Sequence, residues 1–286
     1  MTNTKTQIMR TLCLILFFMS TLISAQIQTP QPSPSSELSQ TVGLTEVKVS
    51  YSRPALRGRK IFGDLVPFGE LWRAGANKNT TLMFSDPVKV GGKPLEAGTY
   101  ALYIRPGAKL WELFFYTETE NWGIPQNWDA NAIATVVELP TEQLTEKVES
   151  FTISIDDLNN EGANITIRWE QTQVSLALEV PTDSKTMASI EKTMNSSPKA
   201  GDMYQAAVYY RESGRDLQKA KAWISKAIEL DPDKYWIYRQ QALILGELNE
   251  KDAAINAAKT SLELAIKAGN QDYVRLNKKS IAEWSK

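Results

Sequence analysis

Histidine is absent from this sequence, and its single cysteine, Cys13, falls near the start of the chain. Lys5 and Arg10 precede an apolar run from Leu12 to Ile23, which Ser24 and Ala25 close with small side chains. That is the pattern of a signal peptide over residues 1–25, with cleavage expected between Ala25 and Gln26. The run falls short of the roughly 20 residues that span a bilayer, so no transmembrane anchor is expected after cleavage. Arg10, Thr11 and Leu12 ahead of Cys13 do not form a lipid-attachment box. The expected destination is export, periplasmic or extracellular.

The exported chain would hold neither thiol nor imidazole. Disulfides, thiol nucleophiles and metal sites built on nitrogen or sulfur are excluded. A Ser-His-Asp triad is excluded, and so is a histidine switch between pH 5 and 8. Acid–base chemistry is left to carboxylates, lysine, tyrosine and arginine. No metal and no cofactor is expected.

Concentrated positive charge is missing as well. The full count is 32 basic and 33 acidic residues; without Lys5 and Arg10 it is 30 against 33, a net charge of −3. Residues 26–181 carry 13 basic and 19 acidic side chains, and residues 182–286 carry 17 and 14. Neither part has the basic surface that nucleic acid demands, so no nucleic-acid partner is expected.

What is present divides the chain. Residues 26–36, with three prolines among glutamines and serines, read as a disordered or extended spacer. Over residues 37–181 apolar side chains recur with period two: Val47, Val49 and Tyr51; Leu82 and Phe84; Val88 and Val90; Phe151, Ile153 and Ile155; Ile165, Ile167 and Trp169; Val174, Leu176, Leu178 and Val180. Gly91-Gly92 and Arg105–Lys109 read as hairpin turns between such runs. About eight short strands without intervening helix predict an antiparallel β-sandwich or jelly-roll-like domain.

At Pro181 the period changes to that of a helix. Met187, Ile190 and Met194 share one face, as do Leu217, Ala220, Ile224, Ala227 and Ile228, with Asp216 placed as a cap. Ala220 and Ala254 stand 34 residues apart, and Ala227 recurs as Ser261. That period is similar to tetratricopeptide repeats, although the second copy lacks the counterpart of Pro232. Helices at 184–196 and 271–285 are expected to cover the ends of the array. The fold class is therefore α+β in two segregated domains, the second an all-α helical-hairpin repeat domain over 182–286.

Several blocks in order carry a family resemblance: Tyr51-Ser-Arg-Pro54, Lys60-Ile-Phe-Gly63, Leu65-Val-Pro-Phe68, Leu71-Trp-Arg-Ala-Gly-Ala-Asn77, Ala97-Gly-Thr-Tyr100 and Asn121-Trp-Gly123. From about Val42 to Val180 the chain resembles the domain of unknown function 2911 family. The resemblance implies an exported bacterial protein, in some relatives followed by helical repeats, and it implies no established activity.

Residues 48–78 form a basic island in an acidic domain: Lys48, Arg53, Arg57, Arg59, Lys60, Arg73 and Lys78 face only Asp64 and Glu70. Guanidinium forks suit carboxylate, sulfate or phosphate, and the island's glycines would let amides approach an anion. Structural pairing with the domain's surplus carboxylates is the plainer reading. Trp72, beside Arg73 and shortly before Asn77, suits stacking on a sugar or planar ligand, as would Trp111, Trp122 and Trp128; tryptophan in a small sandwich is more often core. The candidate ligand-binding residues are Arg53, Arg57, Arg59, Trp72, Arg73 and Asn77. No catalytic residue stands out. Glu70, Asp86, Glu118 and Glu120 are available as carboxylate pairs, with Glu118 and Glu120 expected on one strand face. Asp157–Gly162 imitates a calcium loop, yet Arg168 occupies its twelfth position, so a hairpin turn is expected.

The leading expectation is an exported, non-catalytic binding protein whose β domain takes an anionic or carbohydrate-like ligand. An interaction scaffold, recruiting an envelope protein or peptide through residues 182–286 with Arg211, Arg215, Arg239 and Lys251 on a concave face, is the second. A carboxylate-dependent hydrolase is the third.

Overall fold

The computed structural model describes residues 29–286, so the signal-peptide reading and the first residues of the spacer lie outside the described residues. The described chain forms two compact units that divide between Val180 and Pro181. Among the described residues no helix is long and apolar enough to cross a membrane.

The first unit holds ten strands: β1 (Ser35–Val42), β2 (Thr45–Ser52), β3 (Thr80–Phe84), β4 (Val88–Val90), β5 (Lys93–Leu95), β6 (Gly98–Pro106), β7 (Leu110–Tyr116), β8 (Ile133–Pro140), β9 (Glu142–Asp156) and β10 (Gly162–Glu179). They make two antiparallel sheets, one in the order β1-β2-β3-β6-β7-β8 and one in the order β5-β4-β10-β9. Gly91-Gly92 turns β4 into β5, and Asp157–Glu161 joins β9 to β10 as the expected hairpin. In that turn Asp157 takes φ 54° and its carboxylate accepts from Asn164, so the calcium-like oxygens serve a local turn.

Period-two alternation sends Val47, Val49, Leu82, Phe84, Ile153, Ile165 and Ile167 into one core between the sheets. β6 and β7 depart from alternation. Residues Tyr100–Ile104 and Leu113–Tyr116 are buried on both faces. The outward side chains Tyr103, Phe114 and Tyr116 are covered by Trp128 and Ala132 from the β7–β8 connection, with Trp128 stacked on Tyr116 at 4.5 Å. A strand covered on both sides reads as a continuous apolar run.

The spacer expected over 26–36 is shorter than the sequence indicates. Ser35 and Ser36 already pair with Ser52 and Tyr51 in β1, an edge strand whose residues are polar apart from Leu38 and Val42 and so carry little apolar signature. Residues 32–34 lie against the body of the unit through hydrogen bonds detailed below.

The second unit has six helices among the described residues: α1 (Thr182–Met194), α2 (Ala200–Glu212), α3 (Leu217–Leu230), α4 (Tyr235–Glu247), α5 (Lys251–Lys267) and α6 (Gln271–Trp284). Asp216 caps α3 by accepting from the amides of Gln218 and Lys219. Ala220, Ala227, Ala254 and Ser261, the positions spaced by 34, are fully buried. Ser261 also donates to the carbonyl of Tyr235 at 2.7 Å, tying α5 to the start of α4. Ile281 and Trp284 of α6 pack on the buried alanines.

Candidate functional site

The basic island lies almost wholly in the long connection from β2 to β3, residues 53–79, which reaches both sheets. Ala55 bridges Ser150 of β9, and the amide of Leu56 donates to the carbonyl of Glu149 at 2.8 Å. Trp72 and Ile104 exchange hydrogen bonds of 2.7 and 2.8 Å, so the connection continues the line of β3 along β6. Between these anchors, Glu170 of β10 accepts from the amides of Ile61 and Phe62. Backbone strain concentrates here: Arg57, Ala74 and Asn77 all take left-handed conformations, with φ of 50°, 52° and 61°.

The connection encloses a cavity of about 340 Å³. Its cationic lining is Arg57, Arg59 and Arg73, its apolar wall includes Pro54, Leu65, Val66, Trp72 and Trp169, and the segment Pro32-Ser33 forms one side. The arginines differ in what they already hold. Arg57 donates through Nη2 to the Pro32 carbonyl at 2.9 Å. Arg59 donates to the carbonyls of Leu56 and Ala55 at 2.9 and 2.7 Å. The Arg73 guanidinium has no hydrogen-bond acceptor among the described residues; its Nη1 lies against Gly123, 2.9 Å from where a Cβ would stand.

The sequence candidates therefore separate. Arg57, Arg59, Trp72 and Arg73 meet at the cavity. Arg53 and Asn77 do not line it. Arg53 donates to the Phe151 carbonyl and the Thr152 hydroxyl at 3.0 and 2.7 Å, pinning the end of β2 to β9. Asn77 donates from Nδ2 to the Ser33 carbonyl and to Ser52 Oγ, both at 3.2 Å. The partners found for Arg53, Arg57 and Arg59 are carbonyls and a hydroxyl, where structural pairing with carboxylates was the plainer expectation.

Trp72 belongs to the core. Its indole stacks on Trp169 at 5.8 Å and 18°, meets Phe151 and Phe62 edge-on, and donates to the Gly75 carbonyl. Trp111 is fully buried and Trp128 packs on the tyrosines, whereas Trp122 is 77% exposed. The carboxylates form no pair at the cavity. Glu118 and Glu120, expected on one strand face, lie beyond the end of β7, where Glu120 holds Lys78 at 2.8 Å.

Beside Arg73 stands a polar cluster that sequence reasoning missed. The Tyr103 hydroxyl donates to the Gly123 carbonyl, and burial, partly offset by the Asn121 side chain, pushes it up to about 12. The Asn79 amide group is buried with neither its oxygen nor its nitrogen partnered among the described residues. Only the block Asn121-Trp-Gly123 hinted at this neighbourhood.

In the helical unit a second cavity of about 430 Å³ is lined by Arg239, Leu243, Leu276, Lys279, Glu283 and Trp284. Arg239 donates to Ser280 Oγ at 2.9 Å and to Asn277 Oδ1 at 3.4 Å. Arg211 is paired with Glu247 and Glu212, Arg215 with Asp183, and Lys251 is exposed.

A family model described as a protein of unknown function, DUF2911, matches residues 33–178 and stops short of the helices. No curated protein matches the chain.

Proposed function

The chain belongs to the DUF2911 family, and from that premise we propose that its β unit is a binding module, non-catalytic, that holds an anionic ligand in the cavity beneath residues 53–79. One observation carries the reading: three arginines, Arg57, Arg59 and Arg73, line the same cavity. That concentration of positive charge on one wall favours a negatively charged guest over water. The cavity lining contains no carboxylate to neutralise it or to serve as acid or base. Export forms part of the proposal and rests on residues 1–25, so the working protein begins at Gln26.

The test is a titration of the chain from Gln26 with acetate and sulfate, followed through the arginine side-chain NMR signals. The Arg73 signal is expected to shift first, and Arg73→Gln to weaken binding by about tenfold or more, with the thermal midpoint unchanged. Equal affinity in wild type and Arg73→Gln would sink the proposal.

A second reading gives the tetratricopeptide-like helical unit a separate role, recruiting a carboxylate-bearing segment of an envelope protein. The observation favouring it is Arg239, whose hydrogen-bond acceptors at the cavity are neutral.

A further inference from the structure

We propose that the chain self-associates through β1: two copies pair their first strands antiparallel about a two-fold axis, and the six-stranded sheet of one continues into that of the other. An open sheet edge is a template for another strand, and proteins blunt their edges with short strands, lysine, proline, bulges or covering groups. Among the described residues three of the four edges are blunted. β5 is three residues long and contains Lys93 and Pro94. β8 ends in Pro140, breaks register opposite Phe115 and Tyr116, and has its Val136 carbonyl bound by Lys93 Nζ at 2.6 Å. β9 is held along its outer side, where Glu149 and Phe151 bond the backbone of Leu56 and Pro54 and Ile153 bonds the Tyr51 hydroxyl. β1 differs: its eight residues pair with β2 in unbroken register, include no lysine, arginine or proline, and carry one charge, Glu37.

The register dictates how a second copy sits. The Pro34 carbonyl accepts from Arg53, and on the other side of β2 the Glu46 carbonyl accepts from Ser85. By the alternation of antiparallel ladders, Ser36, Leu38 and Gln40 turn their backbone groups to β2, while the exposed residues Ser35, Glu37, Ser39 and Thr41 turn theirs outward. An axis at Leu38 pairs Ser35 with Thr41 and Glu37 with Ser39 of the second copy, so all four engage, in about eight main-chain hydrogen bonds. The Gln40 side chain, which donates to the Thr41 carbonyl at 2.9 Å, gives way. Moving the axis to Glu37 sets two carboxylates opposite each other, and moving it to Ser39 leaves Ser35 unpaired.

Charge and apolar surface fit the same axis. Ser39 stands opposite Lys48 on β2, so Glu37 meets Lys48 of the second copy across a short serine side chain. Leu38, a half-buried hydrophobic side chain at the margin of the core, meets its own counterpart.

Sedimentation of the chain from Gln26 over a concentration series tests this, and a concentration-dependent dimer is expected. Ser39→Pro removes an outward amide that β2 does not use; it should weaken the dimer at least about tenfold and leave the circular dichroism spectrum unchanged. Glu37→Lys, brought beside Lys48 of the second copy, should weaken it about threefold. Because the chain from Gln26 has no cysteine, Leu38→Cys reports the axis: facing Cα atoms there stand about 4.5 Å apart, within disulfide reach, and mild oxidation should link two chains. Ser36→Cys, more than about 13 Å from its counterpart in this register, should stay unlinked. A monomer at all concentrations, which would leave β1 to a strand of another protein, overturns the proposal. So does a dimer indifferent to Ser39→Pro, or equal linking through Cys at 36 and 38.

Discussion

Arg57 Nη2 donates to the carbonyl oxygen of Pro32 at 2.9 Å, so a residue in left-handed conformation on the β2–β3 connection holds the segment that leads into the first strand. Asn77, left-handed too, holds the next carbonyl, that of Ser33. The amide of Arg53 donates to the Pro34 carbonyl as well, at 2.9 Å. Three consecutive carbonyls of a proline-rich stretch are thus bound by three residues of the basic island. The stretch serves as a wall of the cavity.

Replacing Asn77 separates its two contributions. Asn77→Ala loses both side-chain hydrogen bonds and is expected to cost about 2–3 kcal/mol. Asn77→Gly loses the same bonds but tolerates φ of 61°, and should be about 1 kcal/mol less destabilising. Urea unfolding of the two variants measures the difference. Both should also weaken ligand binding by freeing Ser33; a variant that binds as wild type shows that the wall is dispensable.

Gly123 matters to Arg73 through space. Its φ of +104° suits glycine, and an added Cβ would stand 2.9 Å from Arg73 Nη1. Gly123→Ala is expected to cost about 1–3 kcal/mol from the backbone alone and to displace the guanidinium. Adding Arg73→Ala removes the clash and leaves the strain, so the double variant should recover part of the loss. Full additivity in a double-mutant cycle would show that the two do not touch.

How much of this was legible in the sequence depends on which signal each residue sends. The inward faces of β2, β3, β9 and β10 were readable because one side of each strand is buried and alternation survives. The first half of β9, Glu142–Ser150, was not, since it is largely solvent-facing on an edge and carries no apolar period. The cover over Tyr103 and Tyr116 was invisible because Trp128 and Ala132 sit in a connection without periodicity. At the site, composition located the basic island correctly. It could not separate Arg73, which has no hydrogen-bond acceptor among the described residues, from Arg53, which ends on the Phe151 carbonyl; long-range contacts across the sandwich make that distinction. In the helices, small residues spaced by 34 pointed to close packing, and those positions are buried.

The helical unit should loosen in acid through Asp183. A hydrogen bond from Arg215, with a second from Tyr209, holds its carboxyl below the usual range. The folded value lies under the unfolded one of about 4, so the stabilisation is full above that pH and is lost as pH falls through the folded value. Asp183→Asn should be less stable than wild type at neutral pH and should approach it as the pH falls below the folded value of Asp183. Hydrogen exchange of the α1 amides reads the effect directly, since Asp183 is in the first turn of that helix. A gap between the proteins that persists in strong acid would assign the difference to something other than this carboxylate.

Arg239 offers the opposite trade. Burial foremost, with Arg211 adding repulsion, lowers its pKa, and its hydrogen-bond acceptors are the neutral groups of Ser280 and Asn277. A partly buried cation that hydrogen-bonds only to neutral oxygens, with Glu283 the nearby carboxylate that favours its charge, costs stability that an apolar side chain of similar length does not. Arg239→Met is therefore expected to stabilise the chain by about 1 kcal/mol in urea unfolding followed by far-ultraviolet circular dichroism. If the charge is retained to meet a carboxylate in the cavity beside Leu276 and Trp284, the same variant should lose binding of acidic peptides, whereas Lys279→Gln, exposed at the rim, should weaken them less. A destabilised Arg239→Met would instead make the bonds to Ser280 and Asn277 the reason the arginine is there, joining α4 to α6 as a structural clasp.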